Sequence, residues 1–542
     1  MSEQREADRW WRYGVIYHLL PQSFKDTNED GIGDLEGIIQ KLDYLSDLGI
    51  DAIWLSPVYQ SPMIDAGYDI SDYQAINPVY GDMNDFRCLL DRAHQKNIRV
   101  IMDLVLNHTS DRHPWFIESR ASKDNPKRDW YIWHPPAKKK KSPNNWKTNF
   151  GQAAWTFDPV TCEFYYHSFF KEQPDLNWRN VEVKEKMFEM IRFWLEMGVD
   201  GFRLDVINLL FKHKKLKNNP FNSSFSNRKV YNRNQPEVYS FLKEFRRFLD
   251  QYPGKVSIGE IYAPPPGDAQ LVAGFLGDGK DMLHVAFDFS LIFSRWNASS
   301  YYKIIRRYYK SLPPDGWPCF VISNHDLGRC VRRLLFSFHK YEKAKIIAVL
   351  MLTLKGVPFI YYGDETGMEN VRISKEQIQD AYGKLFYPLF TGRDRSRTPM
   401  QWNNRKYAGF SNVIPWLPVH PNYKTINVES ELKDTHSILN LYRNLIRLRK
   451  EYPALQSGDI HFSDKGKNGI LSYVRPDEKY SIQIILNFTS RKKTIKNPFL
   501  PGQQLLAAYP NAILKKNESL LVLRPFEWII TIHPPKTQEE VS

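Results

Sequence analysis

Eight short apolar runs, at 14–20, 52–55, 99–104, 201–206, 256–259, 282–287, 320–323 and 359–362, constrain this chain more than any other feature. Several are separated by patterns of helical period, over 35–48, 84–96, 183–197 and from 237 onward. Strands that alternate with helices of this length imply a parallel sheet. Eight such units fit an α/β fold of the (β/α)8 TIM-barrel type, whose active sites lie at the C-terminal ends of the strands.

The alternation lapses twice. Residues 106–171 are polar and rich in Trp and Pro, too long for an ordinary connection, and read as a subdomain inserted after the third strand. A second irregular stretch, 363–430, precedes a long amphipathic helix over 437–450. Apolar runs at 470–474, 482–488, 520–523 and 528–532, separated by turn residues, then predict a C-terminal antiparallel β domain. The expected division is barrel over 1–105, insert over 106–171, barrel again over 172–455, and β domain over 456–542.

Charged groups cluster where the predicted strands end. In the run 201–206 (GFRLDV), Arg203 and Asp205 are two apart and so share a strand face. A neighbouring arginine is expected to hold Asp205 ionised at low pKa, as a carboxylate nucleophile requires. Asp103 with His108, then Glu260, then His325 with Asp326 fall at other strand ends. These groups have no packing role there, and neither H-x-H nor H-E-x-x-H spacing marks them as metal ligands. Paired carboxylates flanking a scissile bond are the machinery of glycoside hydrolysis. Asp205 is the better nucleophile, and Glu260, ending an apolar strand among negative neighbours, suits a proton donor with raised pKa. Asp326 is left to stabilise a cationic transition state.

After the first strand, Asp26, Asn28, Asp30, Ile32 and Asp34 place oxygen ligands on alternate residues around Gly31, the spacing of a calcium loop. The twelfth position is Gly37, so a single structural Ca2+ is expected here; an acidic turn capping the following helix is the other reading. No organic cofactor is implied. The aromatic residues, 15 Trp, 30 Tyr and 32 Phe, suit both a sugar cleft and a large core, and leave that choice open. A net charge of +14 raises nucleic acid as a partner, but no nucleic-acid motif accompanies the scattered basic residues. The run Lys138 to Lys141 reads as a solvated loop, or as an attraction for an anionic substrate. Four cysteines without metal or disulfide spacing, a polar N-terminus and no membrane-length apolar run point to a cytoplasmic protein, monomeric or a small homo-oligomer, with no membrane partner.

Asp103-x-x-x-Asn107-His108, Gly201-Phe-Arg203-x-Asp205, Glu260 and Asn324-His325-Asp326, in this order, closely resemble the four motif regions of the α-amylase superfamily. Gln173-Pro-Asp175-Leu-Asn177 and Arg397-Thr-Pro-Met-Gln-Trp402 narrow the resemblance to the oligo-1,6-glucosidase and α-glucosidase group. The resemblance implies Asp205 as nucleophile, Glu260 as acid/base and Asp326 as stabiliser, with His108 and His325 on sugar hydroxyls. It also implies a clamp of Tyr68, Asp69 and Arg397 on a terminal glucose, and exo action. Val206 after the nucleophile usually accompanies α-1,6 cleavage in this group.

The expected activity is a retaining exo-α-glucosidase that prefers isomaltose-type α-1,6 bonds to α-1,4 bonds in small oligosaccharides or disaccharides. Trehalose-6-phosphate hydrolase, which would use the basic loops at 138–141 and about 211–235, and a maltase-type enzyme are the alternatives. A non-catalytic relative of the transporter heavy chains is more remote, since all three carboxylates are present.

Overall fold

The computed structural model describes residues 9–137, 142–220, 230–263, 267–333, 339–496, 503–509 and 520–535. The lysine run at 138–141 and the 221–229 part of the basic loop lie outside the described residues. Seven strands form one parallel sheet: β1 (Ile16–Leu19), β2 (Ala52–Leu55), β3 (Arg99–Leu104), β4 (Gly201–Leu204), β5 (Val256–Gly259), β6 (Val285–Ala286) and β7 (Phe359–Tyr361). Their spatial order is β6-β5-β4-β3-β2-β1-β7.

The count of eight strands is corrected in one place. The run 320–323 does not join the ladder as a strand. The gap between β6 and β7 is bridged just upstream of the run and at its start, through isolated parallel pairings of Val285 with Trp317 and Asp288 with Phe320. Val321 N–H donates to Asp288 O, and Val357 N–H to Pro318 O. Pro318 has no N–H to give a ladder, which accounts for the interrupted pairing.

Trp54, Ile101, Ile258, Phe287 and Phe359 pack inside the ring, plugged from below by Trp10 and Trp11. The helices that cover the outside begin and end where local chemistry dictates. Met83–Gln95 opens with a capping box between Asp82 and Asp85. Val181–Met197 is capped by Asn180 and stops at Gly198, whose φ of 113° suits glycine. The predicted helix 35–48 is two helices, Leu35–Ile39 and Leu42–Leu48, because Lys41 leaves helical backbone between them.

A three-stranded antiparallel sheet of Trp133–His134, Trp155–Asp158 and Glu163–Tyr166 lies within 106–171. At the C-terminal end, a five-stranded sheet contains His461–Lys465, Ile470–Pro476, Ser481–Asn487, Trp528–His533 and Gln503–Ala507, beside a pair of Lys493–Lys496 with Leu520–Leu523. His461–Lys465, Lys493–Lys496 and Gln503–Ala507 escape a reading by hydrophobicity because they are short, polar and partly exposed.

Candidate active site

Arg203 organises the mouth of the barrel. It pairs in register with Asp103 on β3, and its guanidinium is buried. Nη1 lies 2.8 Å from both Asp103 Oδ1 and Asp205 Oδ1, and Nη2 hydrogen-bonds to Glu260. One cation therefore serves three carboxylates. The expectation that Asp205 has a low pKa is corrected here: burial raises it well above the usual range, and the charge of Arg203 does not offset that. Burial also raises Glu260, which shares the Arg203 guanidinium with Asp205. Burial thus opposes ionisation at both carboxyls.

The strand itself ends at Leu204. Asp205 N–H still donates to Leu104 O, but Val206 takes φ 35° and ψ 43°, a left-handed conformation that a β-branched residue adopts only under strain. This turn sets Asp205 at the pocket wall and places Val206 beside it.

Asp326 is the most open of the carboxylates, its side chain 33% exposed. Burial alone would raise its pKa, yet His325, Arg393 and Arg397 together outweigh burial and hold it below the usual carboxylate range. Arg397 Nη2 lies 2.9 Å from Asp326 Oδ1 and Arg393 Nη1 lies 3.4 Å from it. Tyr68 stacks on His325, and its hydroxyl lies 2.9 Å from both His325 Nε2 and Asp103 Oδ2. The hydroxyl proton goes to the carboxylate, so His325 carries its proton on Nε2. Burial depresses the His325 pKa to about 3 and lowers that of His108, leaving both rings neutral.

The cavity holds about 290 Å³ and is lined by Tyr68, His108, Asp205, Val206, Glu260 and Asp326 of the expected set. Asp69 is not at the wall. It is fully buried, and its carboxylate accepts the N–H groups of Ile64 and Asp65, both at 2.9 Å. Asp65, on the loop that Asp69 fastens, faces the cavity instead and binds Arg393 Nη2 at 2.5 Å. Arg397 supports Asp326 from behind the wall, and Arg393, four residues earlier, lines the cavity. Asp65 and Arg393 were legible only as the near neighbours of Tyr68 and Arg397 in their motifs.

Residues of the Q-P-D-L-N motif brace the site. Gln173 Nε2 approaches His108 Nε2 at 3.1 Å, and Asp175 meets Lys212 Nζ at 2.5 Å while accepting from Asn107 Nδ2 at 3.0 Å. The outer cavity is aromatic: Phe150 and Phe169 come from the insert, and Tyr382 and Phe390 from the 363–430 stretch. Phe150 stacks on Tyr382 at 4.4 Å.

The acidic loop after β1 turns at Gly31, φ 87°. Its side-chain oxygens are engaged by the loop itself. Asp26 accepts Glu29 and Gly31 N–H, Asn28 accepts Asp30 N–H, Asp30 accepts Ile32 N–H, and Asp34 accepts Thr27 and Gly37 N–H. Among the described residues, no three His, Cys, Asp or Glu side chains converge as a metal-ligand cluster. A cation would thus have to take these oxygens from backbone amides. No helix among the described residues is long and apolar enough to cross a membrane.

A barrel with buried carboxylates gathered at its mouth defines a glycoside hydrolase, and comparison with known proteins agrees. Residues 18–458 match the family model "Alpha amylase, catalytic domain", and the chain belongs to the α-amylase family. An oligo-1,6-glucosidase of Halalkalibacterium halodurans is 42% identical over 520 residues, covering 90% of this chain and 91% of the relative. A probable α-glucosidase of Rhizobium meliloti is 39% identical over 517 residues, covering 92% and 93%. The crystal structure of the α-glucosyl transfer enzyme XgtA superposes with a TM-score of 0.90 at 37% identity, covering 97% of this chain and 99% of that one. The chain is a glycoside hydrolase of the oligo-1,6-glucosidase/α-glucosidase type.

Proposed function

We propose that this protein is a retaining, exo-acting α-glucosidase that prefers terminal α-1,6 bonds. The observation that carries the reading is that Asp205 and Glu260 are held by the same Arg203 guanidinium at the wall of one cavity, which Asp65 and Arg393 also line. An inverting pair stands roughly 6.5–9.5 Å apart to admit a water, whereas a retaining pair stands about 5–5.5 Å apart. Two carboxyls bonded to the two Nη atoms of one guanidinium favour the second, closer geometry. Asp205 attacks the anomeric carbon as Glu260 gives its proton to the leaving oxygen, forming a glycosyl ester. Water then attacks that carbon, Glu260 takes a proton from the water, and Asp205 leaves. Asp326, held ionised, faces the positive charge that develops on the ring. Neutral His108 lines the cavity, and neutral His325 holds the Tyr68 hydroxyl from behind the wall.

The linkage preference rests on Val206. A wall methyl group discriminates by about 1–3 kcal/mol. Initial rates on isomaltose, maltose, sucrose, trehalose and trehalose-6-phosphate test the reading, with isomaltose expected fastest and glucose released as the α-anomer. Val206→Ala or Val206→Thr should lower the isomaltose-to-maltose rate ratio by roughly tenfold. An unchanged ratio removes the linkage argument, and trehalose-6-phosphate as the fastest substrate replaces the reading with a phosphate-directed one.

A further inference from the structure

A second cavity, of about 300 Å³, opens at the opposite end of the barrel. Its walls come from segments that precede strands: residues 9–12 before β1, 252–255 before β5 and 279–284 before β6. Five cationic side chains line it, Arg9, Arg12, Arg246, Lys255 and Lys280, against one acid, Asp250. Asp250 is spent on Arg246 Nε at 2.7 Å, and Lys280 pairs with Asp315 at 2.6 Å. Lys255 has only a loose approach to Asp200, at 3.7 Å.

Arg9 and Arg12 form no ion pair with any described residue. The side-chain hydrogen bond of Arg12 goes to a carbonyl, Asp315 O, at 3.3 Å, its guanidinium lies over the Trp11 and Trp317 rings, and its buried Nε has no hydrogen-bond partner among the described residues. His284, at the cavity's inner end, is kept neutral by burial and by the charges of Arg246, Arg12 and Arg9. Residues at this face of a barrel ordinarily serve stability, and a stabilising cluster would match its cations with carboxylates. Here like charges crowd a concave site, and a missing counter-charge is the simplest completion.

We propose that this cavity binds a small polyanion bearing phosphoryl groups. Guanidinium forks match phosphate oxygens in pairs, and two or more negative charges are needed to answer Arg9, Arg12 and Lys255 together. A cavity of about 300 Å³ suits a small molecule rather than a nucleic-acid backbone, which tracks a long open groove.

Titration calorimetry with inorganic pyrophosphate, at ionic strength held constant with NaCl, tests the proposal on the whole chain. One saturable site is expected, with a Tm rise of at least roughly 2 °C at about 100 times Kd. Arg12→Gln should weaken binding at least tenfold, as should the double variant Arg9→Gln/Lys255→Gln if Arg12→Gln fails to fold. Lys433→Gln, on an exposed helix elsewhere, should bind as the parent does. No saturable heat, equal affinity in the cavity variants, or binding of a DNA duplex without binding of pyrophosphate overturns it.

Discussion

At the scale of single residues, the site works by dividing one charge. Arg203 is shared by Asp103, Asp205 and Glu260, so burial wins over ion pairing at the two reacting carboxyls. Asp205→Asn keeps the size and most of the hydrogen bonds while removing the nucleophile. Turnover should fall by at least about 10⁴-fold with the Tm little changed, and activity within tenfold of the parent would refute the assignment. Outside the site, Glu365 is a second buried carboxyl. Tyr17 and Tyr44 hydroxyls donate to its Oε1 at 2.8 and 2.7 Å, its Oε2 has no partner, and burial pushes its pKa up to about 7. A carboxyl with a raised folded pKa binds its proton more tightly when folded. Its contribution is complete below the unfolded value, about 4.3, and is lost as pH rises through 7. The loss amounts to about 4 kcal/mol at most. The parent Tm should therefore decline from about pH 5 to about pH 8, and Glu365→Gln should lessen that decline. Equal slopes by calorimetry would show that Glu365 ionises freely.

At the scale of elements, we propose that the loop from Asp26 to Asp34 is a structural Ca2+ site, with Asp26, Asn28, Asp30, Asp34 and the Ile32 carbonyl as ligands. The alternate oxygens and the glycine turn support it, and the competing amide hydrogen bonds imply that binding is modest. Chelation should lower the Tm and Ca2+ should restore it. An unchanged melting curve, with no metal found by elemental analysis, would leave the loop as a self-capped turn that ends in the Asp34 helix cap. The same contrast explains what was legible in the sequence. Strand Ala52–Leu55 is apolar throughout, and Val256–Gly259 is so apart from Ser257, because both faces are buried, and their bounds could be read directly. Asp69 and Asp65 could not be told apart that way. Both are acidic and four residues apart, and only the fold of the loop decides which carboxylate caps amides and which meets Arg393. The strained turn at Val206 was hidden for a related reason, since a valine after a strand reads as more strand.

At the scale of the whole molecule, the pocket is assembled from three blocks far apart in the chain. The barrel supplies the carboxylates, the insert supplies Phe150 and Phe169, and the 363–430 stretch supplies Tyr382, Phe390 and Arg393. How firmly the insert sits on the barrel should therefore govern substrate binding more than chemistry. Its fastening is visible around Asn145, upstream of Phe150. Asn145 N–H donates to Asn218 Oδ1 at 2.9 Å, its Nδ2 donates to Asn219 O at 2.8 Å, and its Oδ1 accepts Asn219 N–H at 2.8 Å. Trp146 Nε1 adds a bond to Lys217 O at 2.8 Å. Asn145→Ala deletes the two side-chain bonds, each with a net value of about 0.5–1.5 kcal/mol, while leaving Asp205, Glu260 and Asp326 untouched. A loosened aromatic wall weakens binding of substrate and transition state alike, so KM should rise roughly 5- to 50-fold with kcat within about twofold. A fall in kcat at constant KM would instead place the insert's role in the chemical step, through the brace that joins Asp175, Asn107 and His108.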